Sequence, residues 1–541
     1  MTRPAHIDVA ALDALLAPYD RSDAPGFAVG VALPGFSPYR RGVGMASVEL
    51  PVVLSPSIRM RIGSTSKHFT CLAILLLAEE GRLSPDDPVR LHIPELPAWA
   101  DGITLRHMMA HRSGMRDSLD IALHTAGPGV GSASDFHLET LASIDSVNFR
   151  PDEDWNYNNG AYVLLGEVIQ RASGQAFADF LRDHIFRPVG MRATQVRPLD
   201  TELLPNSATL HVPVSGGGYA RGVFGLPIGA EGGIVSTVDD MLLWLHHMSH
   251  PIVGSRATWD AMRTPLTSHG YGLGLIASDH RGLPTVHHGG AVVGGNCQML
   301  KVVGPDLDII VMSNGLGGLD LHRLVDAIID CCIPDLPAIA HTATMPSVTG
   351  IFHSPEKGDC IAFEERGGEL HIRLGAAVLP AQQYPDGSLG VPMITSDLRI
   401  WSQGDGSELL VKEFGKERFY TRAMVPDAET LPTLSGWYLD SSACVAALIE
   451  QLDGEHYLHL MGRLGSTRYR LKPVGSGLWE GECNAALPRV IWVDAQDNDI
   501  WIVTGRTKRL KLEKDEFLVT SDRMKGDMHD VLGPASTWRS A

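Results

Sequence analysis

Cysteine is scarce in this chain. The 541 residues hold seven (Cys71, Cys297, Cys331, Cys332, Cys360, Cys444 and Cys483), odd in number, scattered and without a C-x-x-C pair. Neither a disulfide framework nor a zinc cluster is expected from that pattern, which fits a reducing, cytoplasmic compartment. Long apolar runs are missing too: the longest, Cys71 to Ala78, is far too short to cross a bilayer. The opening MTRPAHIDVAALDALLAPYD carries acids throughout and no apolar core behind basic residues, so no secretory signal is visible. Positive charge is in deficit, with 45 Lys and Arg against 63 Asp and Glu and a formal net charge of -18. A phosphate backbone or an anionic membrane surface requires clustered cations, so neither nucleic acid nor membrane is an expected partner.

Several chemical signatures are equally absent. There is no Gly-x-Ser-x-Gly elbow, no His-Glu-x-x-His and no Gly-rich P-loop ending in Gly-Lys-Ser/Thr. The 23 histidines show no ligand spacing, so no metal and no cofactor is expected.

What is present is ordinary globular composition, 44% hydrophobic and 20% charged, in a chain long enough for about two to four domains. Up to about residue 335, helical periods alternate with short β-rich runs such as GFAVGVAL and LDIIVMSN, an α+β or α/β signature. The Pro-, Thr- and Ala-rich CCIPDLPAIAHTATMPSVTG then reads as a linker. Beyond it, short alternating segments separated by Gly, Asp and Asn turns predict antiparallel barrels or sandwiches. A weak echo between VTGIFHSPEKGDC and LSGWYLDSSAC suggests two copies, separated by the Pro-bearing VPDAETLPTL. The expected layout is a mixed catalytic domain over 1–338 and two small antiparallel β-barrel domains over 345–427 and 432–530.

The chemistry starts in RMRIGSTSKHFTCLAILLLAEEGRL. From about Thr65 to Glu80 this reads as a helix apolar on nearly every face, with Gly81 as its stop. Ser64 falls at its N-terminal end, where unpaired N–H groups and the positive end of the dipole stabilise a developing oxyanion. Lys67, three residues on, shares that face, and an amine carried inward on an apolar helix loses hydration and proton affinity and becomes a base. Ser66 points elsewhere. The bland alternative is a Ser/Thr helix cap followed by a solvated lysine. In DEDWNYNNGAYVLLGEVIQRASG, alternate residues Tyr157 and Asn159 of an extended loop point the same way, a phenol for proton transfer and an amide for a lysine and a substrate carbonyl. A packed loop Tyr among turn-forming Asn residues is the plainer account of the same letters. A third element, TVHHGGAVVGG, holds His288-Gly289-Gly290 in a strand-like run; glycines there mark a close backbone or ligand approach, and the plainer alternatives are a simple bulge or a buried, satisfied histidine.

Together and in this order, the three elements resemble the serine β-lactamase and penicillin-binding-protein superfamily: Ser-x-x-Lys, Tyr-x-Asn, and a strand where the family has Lys-Thr-Gly. Further phrases, LRHMMAHRSGM, IFRPVGM and GAEGGIVSTVDDMLLW, are similar to its class C and esterase-like branch. The resemblance spans about residues 10 to 320. His288-Gly289-Gly290 in place of Lys-Thr-Gly is similar to the D-aminopeptidase branch, which also carries two C-terminal β-barrels. The resemblance implies a β-lactamase-like domain and an acyl-enzyme on Ser64, with Lys67 and Tyr157 handling protons and Asn159 and His288 positioning substrate. It further implies an oxyanion hole from the N–H groups of Ser64 and Ala291.

In that branch a loop of the last barrel offers an Asp to the substrate ammonium. The nearest stretch here, LWEGECNAALPRV, has no Asp, so Glu480 or Glu482 is the expected substitute. The expected activity is release of N-terminal D-amino acids from short peptides, amides or esters, without cofactor and with a homodimer as the expected assembly. A carboxylesterase or β-lactamase-like hydrolase is the alternative on the same machinery, and a non-turnover peptidoglycan-binding sensor is the alternative from another class.

Overall fold

The structure, a computed structural model, describes residues 4–126, 136–315, 320–337, 348–391, 397–425, 431, 434–440, 445–483 and 489–515. Cys444 and most of both expected inter-domain breaks lie outside those residues.

The first unit is organised by a six-stranded antiparallel sheet in the order Ile276–His280, Leu283–Val292, Gly295–Val302, Leu307–Ser313, Phe27–Ala32, Tyr39–Val43. The two runs read as strands from sequence are neighbours in it, Phe27 opposite Ser313 and Ala32 opposite Asp308. Strand alternation then decides the faces. Phe27, Val29 and Val31 join Leu12, Leu16, Leu324 and Ile328 of the terminal helices Val9–Leu16 and Leu321–Cys332 in one core. Ala28, Met312 and Met299 face a larger core on the other side, shared with Phe69, Leu72 and Trp244 of the interior helices.

Through that larger core runs the helix Lys67–Glu79, in which every residue from Lys67 to Leu75 is buried. Its apolar surface on all sides is what the sequence pattern demands of a helix enclosed by others. The helix starts two residues later than its hydrophobicity suggests, because Gly63–Ser66 form a tighter 3₁₀ turn. Gly63 has a φ of +54°, and a β-carbon there would come within 2.7 Å of the Ala291 nitrogen, so the turn is pinned against a sheet strand rather than wound into the helix.

The described residues from 348 onward form antiparallel β structure. Nine strands from Gly350–His353 to Lys416–Arg422 form one sheet around a core of Phe352, Ile372, Leu409 and Tyr420. Eight further strands close into a barrel in which Gly436–Asp440 pairs with both its successor and Leu510–Asp515, leaving no free edge. Its interior alternates by residue: Leu458 and Leu460 point in, His459 out toward Glu450.

Both β units are clamped onto the first. The turn at Phe414 and Gly415 docks on it, with Arg418 ion-paired to Asp154. The segment 504–508 of the barrel is held by Thr504 and Thr507 donating to Asp120 at 2.5 and 2.8 Å and by Lys508 N donating to Asn148 at 2.9 Å.

Candidate active site

The units meet around a cavity of about 950 Å³ whose wall includes Ser64, Tyr157, His288, Phe414 and Arg506. Ser64 is half-buried at the 3₁₀ turn, the one point of its segment that reaches the cavity, while Thr65 and Ser66 beside it are fully covered. Ser66 accepts a hydrogen bond from Ile234 N at 3.2 Å, a structural role that keeps it off the reacting face.

Lys67 is fully buried, and its Nζ donates to Ser64 Oγ at 3.2 Å, Asn159 Oδ1 at 2.8 Å and the Glu231 carbonyl at 2.6 Å. Those three acceptors use all its donors and fix its position. Burial pulls its pKa down to about 7, against the Glu231 charge that raises it and with the Arg506 charge that lowers it. An amine that is neutral in a useful fraction at physiological pH, in hydrogen-bond reach of a hydroxyl, is a general base for that hydroxyl.

Asn159 is the first residue of the helix Asn159–Ser173 rather than part of an extended loop, because Asn158 caps that helix by accepting from Ala161 N at 2.8 Å. Tyr157 and Asn159 nonetheless meet at Lys67, the ring centroid of Tyr157 being 4.7 Å from Nζ. The Tyr157 hydroxyl is buried and makes no hydrogen bond of full geometry, although Ser64 is near enough to pull its pKa back against a burial effect that raises it well above the ordinary phenol value. The phenol is therefore protonated and its proton uncommitted. His111, packed at a tilt against the Tyr157 ring with centroids 4.2 Å apart, accepts from Asn158 N at 3.0 Å, and burial keeps it neutral.

His288 lies in an unbroken strand, not a bulge. Its Nδ1 faces the Gly289 carbonyl at 2.6 Å and its Nε2 the Tyr271 hydroxyl at 3.3 Å, while burial and Lys67 lower its pKa to about 4. It contributes polarity to the wall without positive charge. Gly289 and Gly290 mark a close approach: a β-carbon on Gly290 would fall 1.8 Å from the Ile62 carbonyl and 3.0 Å from Ser64 N. The backbone of Gly290 and Ala291 is thereby brought against Gly63 and Ser64.

The expected roles of Glu480 and Glu482 are corrected. Both are on the barrel strand Leu478–Cys483 and neither lines the cavity. Glu480 is buried and ion-paired with Arg373 of the nine-stranded sheet, and Glu482, paired opposite Arg470, is exposed. The barrel reaches the cavity through a different hairpin, Thr504 to Lys508, and through Val490 and Trp492 of the strand Arg489–Gln496.

Sequence reasoning also misses Glu231, Asp117, Phe414 and Arg506. Glu231 lies in the phrase GAEGGIVST; its carboxyl is buried and raised to about 7 by loss of hydration. Asp117 accepts backbone N–H bonds from Leu119, Asp120, Asn159 and Gly160, and so caps two helices at once. Phe414 packs tilted against Trp155 at 4.2 Å, and Trp155 packs edge-on to His269 at 4.5 Å, giving one wall an aromatic lining. No spacing in the sequence signals Phe414 or Arg506.

Comparison with known proteins places these features in context. The profile of the Beta-lactamase family matches residues 12–330. The chain is 26% identical over 482 residues to a D-aminopeptidase of Gluconobacter oxydans, covering 86% of this chain and 90% of that one. To a D-aminopeptidase of Brucella melitensis it is 25% identical over 485 residues, covering 88% and 91%. Among solved structures, the octameric penicillin-binding protein homologue from Pyrococcus abyssi superposes with a TM-score of 0.54 at 19% identity, over 94% of this chain and all of that one. The D-amino acid amidase from Ochrobactrum anthropi SV3 matches with a TM-score of 0.52 at 23% identity, over 60% of this chain and 97% of that one.

Proposed function

The chain belongs to the Beta-lactamase family, and from that premise we propose that it is a serine aminopeptidase releasing N-terminal D-amino acids from short peptides, amides or esters through an acyl-enzyme on Ser64. The observation that carries this reading is the fully buried Lys67 amine, depressed to about 7 and 3.2 Å from Ser64 Oγ. The names and near full-length coverage of the two aminopeptidase relatives support the substrate class.

In this mechanism neutral Lys67 takes the Ser64 hydroxyl proton as Oγ adds to the substrate carbonyl carbon. The oxyanion is held by the N–H groups of Ser64 and Ala291, in the seam between the 3₁₀ turn and the strand. Tyr157, a phenol kept protonated by burial, donates to the leaving nitrogen as the C–N bond breaks, and recovers its proton from the Lys67 ammonium. Water then adds to the acyl carbon, its proton passing to the same pair, and Oγ leaves with a proton. Asn159 holds the Lys67 amine, and neutral His288 borders the bound acyl group.

Of the cavity-lining carboxylates, Asp359 and Glu413 are committed to Lys357 at 2.9 and 3.0 Å, and Asp320 accepts from His322 N and Arg323 N at 3.1 Å and pairs with the Arg323 side chain at 3.4 Å. The substrate ammonium is therefore assigned to the aromatic wall of Trp155, Tyr271 and Phe414, whose faces attract a cation. Cytoplasmic residence and a homodimer remain parts of the proposal, checked by fractionation and light scattering.

D-alanine p-nitroanilide and its N-acetyl derivative test the reading. The aminopeptidase loses activity on acetylation; equal turnover of both, together with short acyl esters, makes the chain an esterase instead.

A further inference from the structure

Arg506 is a long cation that the barrel sends into the cavity from outside the catalytic unit; its ion pair with Asp117 is a long one, and among the described residues no hydrogen bond holds its guanidinium. Its Cζ lies 5.2 Å from the Tyr157 ring centroid, and its Nη1 is 3.7 Å from Asp117, beyond hydrogen-bond distance. Asp117 is already occupied by four backbone N–H groups. The five guanidinium donors are thus mostly uncommitted. Of the two lysines that line the same cavity, Lys357 is bound closely by Asp359 and Glu413 at 2.9 and 3.0 Å, and Lys508 lies 3.8 Å from Asp359.

The position of Arg506 is set by its backbone. Its carbonyl accepts from Asn148 Nδ2 at 2.9 Å and Asn156 Nδ2 at 2.6 Å, and its N–H donates to Thr504 Oγ1 at 3.1 Å. Asn156 is the neighbour of Tyr157, so loop and phenol are registered to each other by one bond. A charge held this firmly, with a planar fork and over a third of its side chain open, is preorganised for a carboxylate.

We propose that Arg506 binds the carboxylate of the residue released on cleavage, so that the preferred substrate is a dipeptide-like zwitterion with its carboxylate one residue beyond the scissile nitrogen. This deepens the proposed function and rests on it for the direction of cleavage. Tyr157 is the group that meets the leaving nitrogen, and Arg506 packs on the face of that same ring, which puts its fork on the leaving-group side. The aromatic wall of Trp155, Tyr271 and Phe414 is left for the ammonium.

The experiment compares kcat/KM for D-alanyl-D-alanine and D-alanyl-D-alaninamide, each with and without N-acetylation, in the full chain, Arg506→Gln and Arg506→Lys. The free acid is expected to win by about ten- to a hundred-fold, the range for hydrogen bonds to a charged group. Arg506→Gln brings the ratio near one through loss on the acid, and Arg506→Lys, which keeps charge but not the fork, falls between. Should Arg506→Gln not fold, as judged by circular dichroism, a several-fold drop of the ratio in Arg506→Lys supports the assignment and an unchanged ratio overturns it. An acid-over-amide ratio that is the same in Arg506→Gln as in the parent, or a parent that prefers the amide, overturns it outright. If the peptides are inert, the glycolate and glycolamide esters of D-alanine are read the same way. Indifference to N-acetylation with an Arg506-dependent acid preference removes the aminopeptidase reading alone; strict need for the amine without that preference removes this assignment alone.

Discussion

Lys67 Nζ lies 3.2 Å from Ser64 Oγ and is held there by Asn159 Oδ1 at 2.8 Å and the Glu231 carbonyl at 2.6 Å. Three anchors from three chain segments turn a flexible side chain into a fixed base. The consequences follow residue by residue.

Lys67→Ala and Tyr157→Phe should each cost on the order of 10²- to 10⁴-fold in kcat, the range for a positioned acid or base. Lys67→Ala removes the base for acylation. Tyr157→Phe keeps the ring under Arg506 and slows nitrogen leaving groups more than p-nitrophenolate, which departs without a proton. Steady-state kinetics with matched amides and esters measure the difference.

The pH profile tests the Lys67 environment. Because the neutral amine is the base, kcat/KM should climb through an apparent midpoint near 7. Glu231→Gln removes the negative charge that holds Lys67 up, so the midpoint should move to lower pH. Stability carries two signs. Between about 7 and its ordinary 10.5 Lys67 is protonated unfolded but neutral folded, so stability rises with pH there. Between the ordinary 4.5 and about 7 Glu231 is protonated folded but ionised unfolded, so stability falls as pH rises; Glu231→Gln should flatten that acid-side fall in urea titrations.

Gly290→Ala should be severe despite adding one methyl. The new β-carbon would meet the Ile62 carbonyl at 1.8 Å, and backbone cannot swing aside as a flexible side chain does. The turn carrying Ser64 must shift, at a cost of roughly 10²-fold or more in kcat, comparable to loss of an oxyanion donor. A kcat within two-fold of the parent would rule out the seam between turn and strand as the oxyanion site.

Phe414→Gly separates wall from scaffold. Phe414 has a φ of +51°, a conformation glycine adopts freely, so the substitution relieves backbone strain while it deletes the ring packed against Trp155. We expect KM for D-alanine p-nitroanilide to rise several-fold with a smaller change in kcat and no drop in melting temperature.

Glu480→Gln and Glu482→Gln should leave the free-amine requirement intact. Glu480→Gln instead weakens the buried pair with Arg373, which keeps Glu364 at 2.7 Å as a second partner, and so costs up to about 3 kcal/mol of stability. Glu482→Gln, at an exposed site, should be silent. Calorimetry and the acetylation assay read the two effects separately.

What the sequence reveals of this site follows distance along the chain. Ser64 and Lys67 are legible because one turn of helix joins them, and Tyr157 with Asn159 because two residues separate them. The α+β unit and the β-rich remainder are legible from periodicity, which strands such as Phe27–Ala32 and Leu458–Leu460 obey. Glu480 and Glu482 mislead because residue type alone does not say where a carboxylate ends up: Glu480 is buried and taken by Arg373, and Glu482 is exposed. Phe414 and Arg506 carry no signal at all, since each reaches the cavity from the tip of a hairpin whose docking is a property of the folded whole. Burial, which makes Lys67 a base and Tyr157 an acid, is likewise a property of the assembled core.

The most direct measurement is peptide-mapped mass spectrometry after rapid quench with a D-alanyl ester. A covalent alanyl increment on the peptide bearing Ser64, present in the parent and missing together with turnover in Ser64→Ala, is the predicted result. Turnover that persists in Ser64→Ala, or an increment on any other residue, contradicts the account.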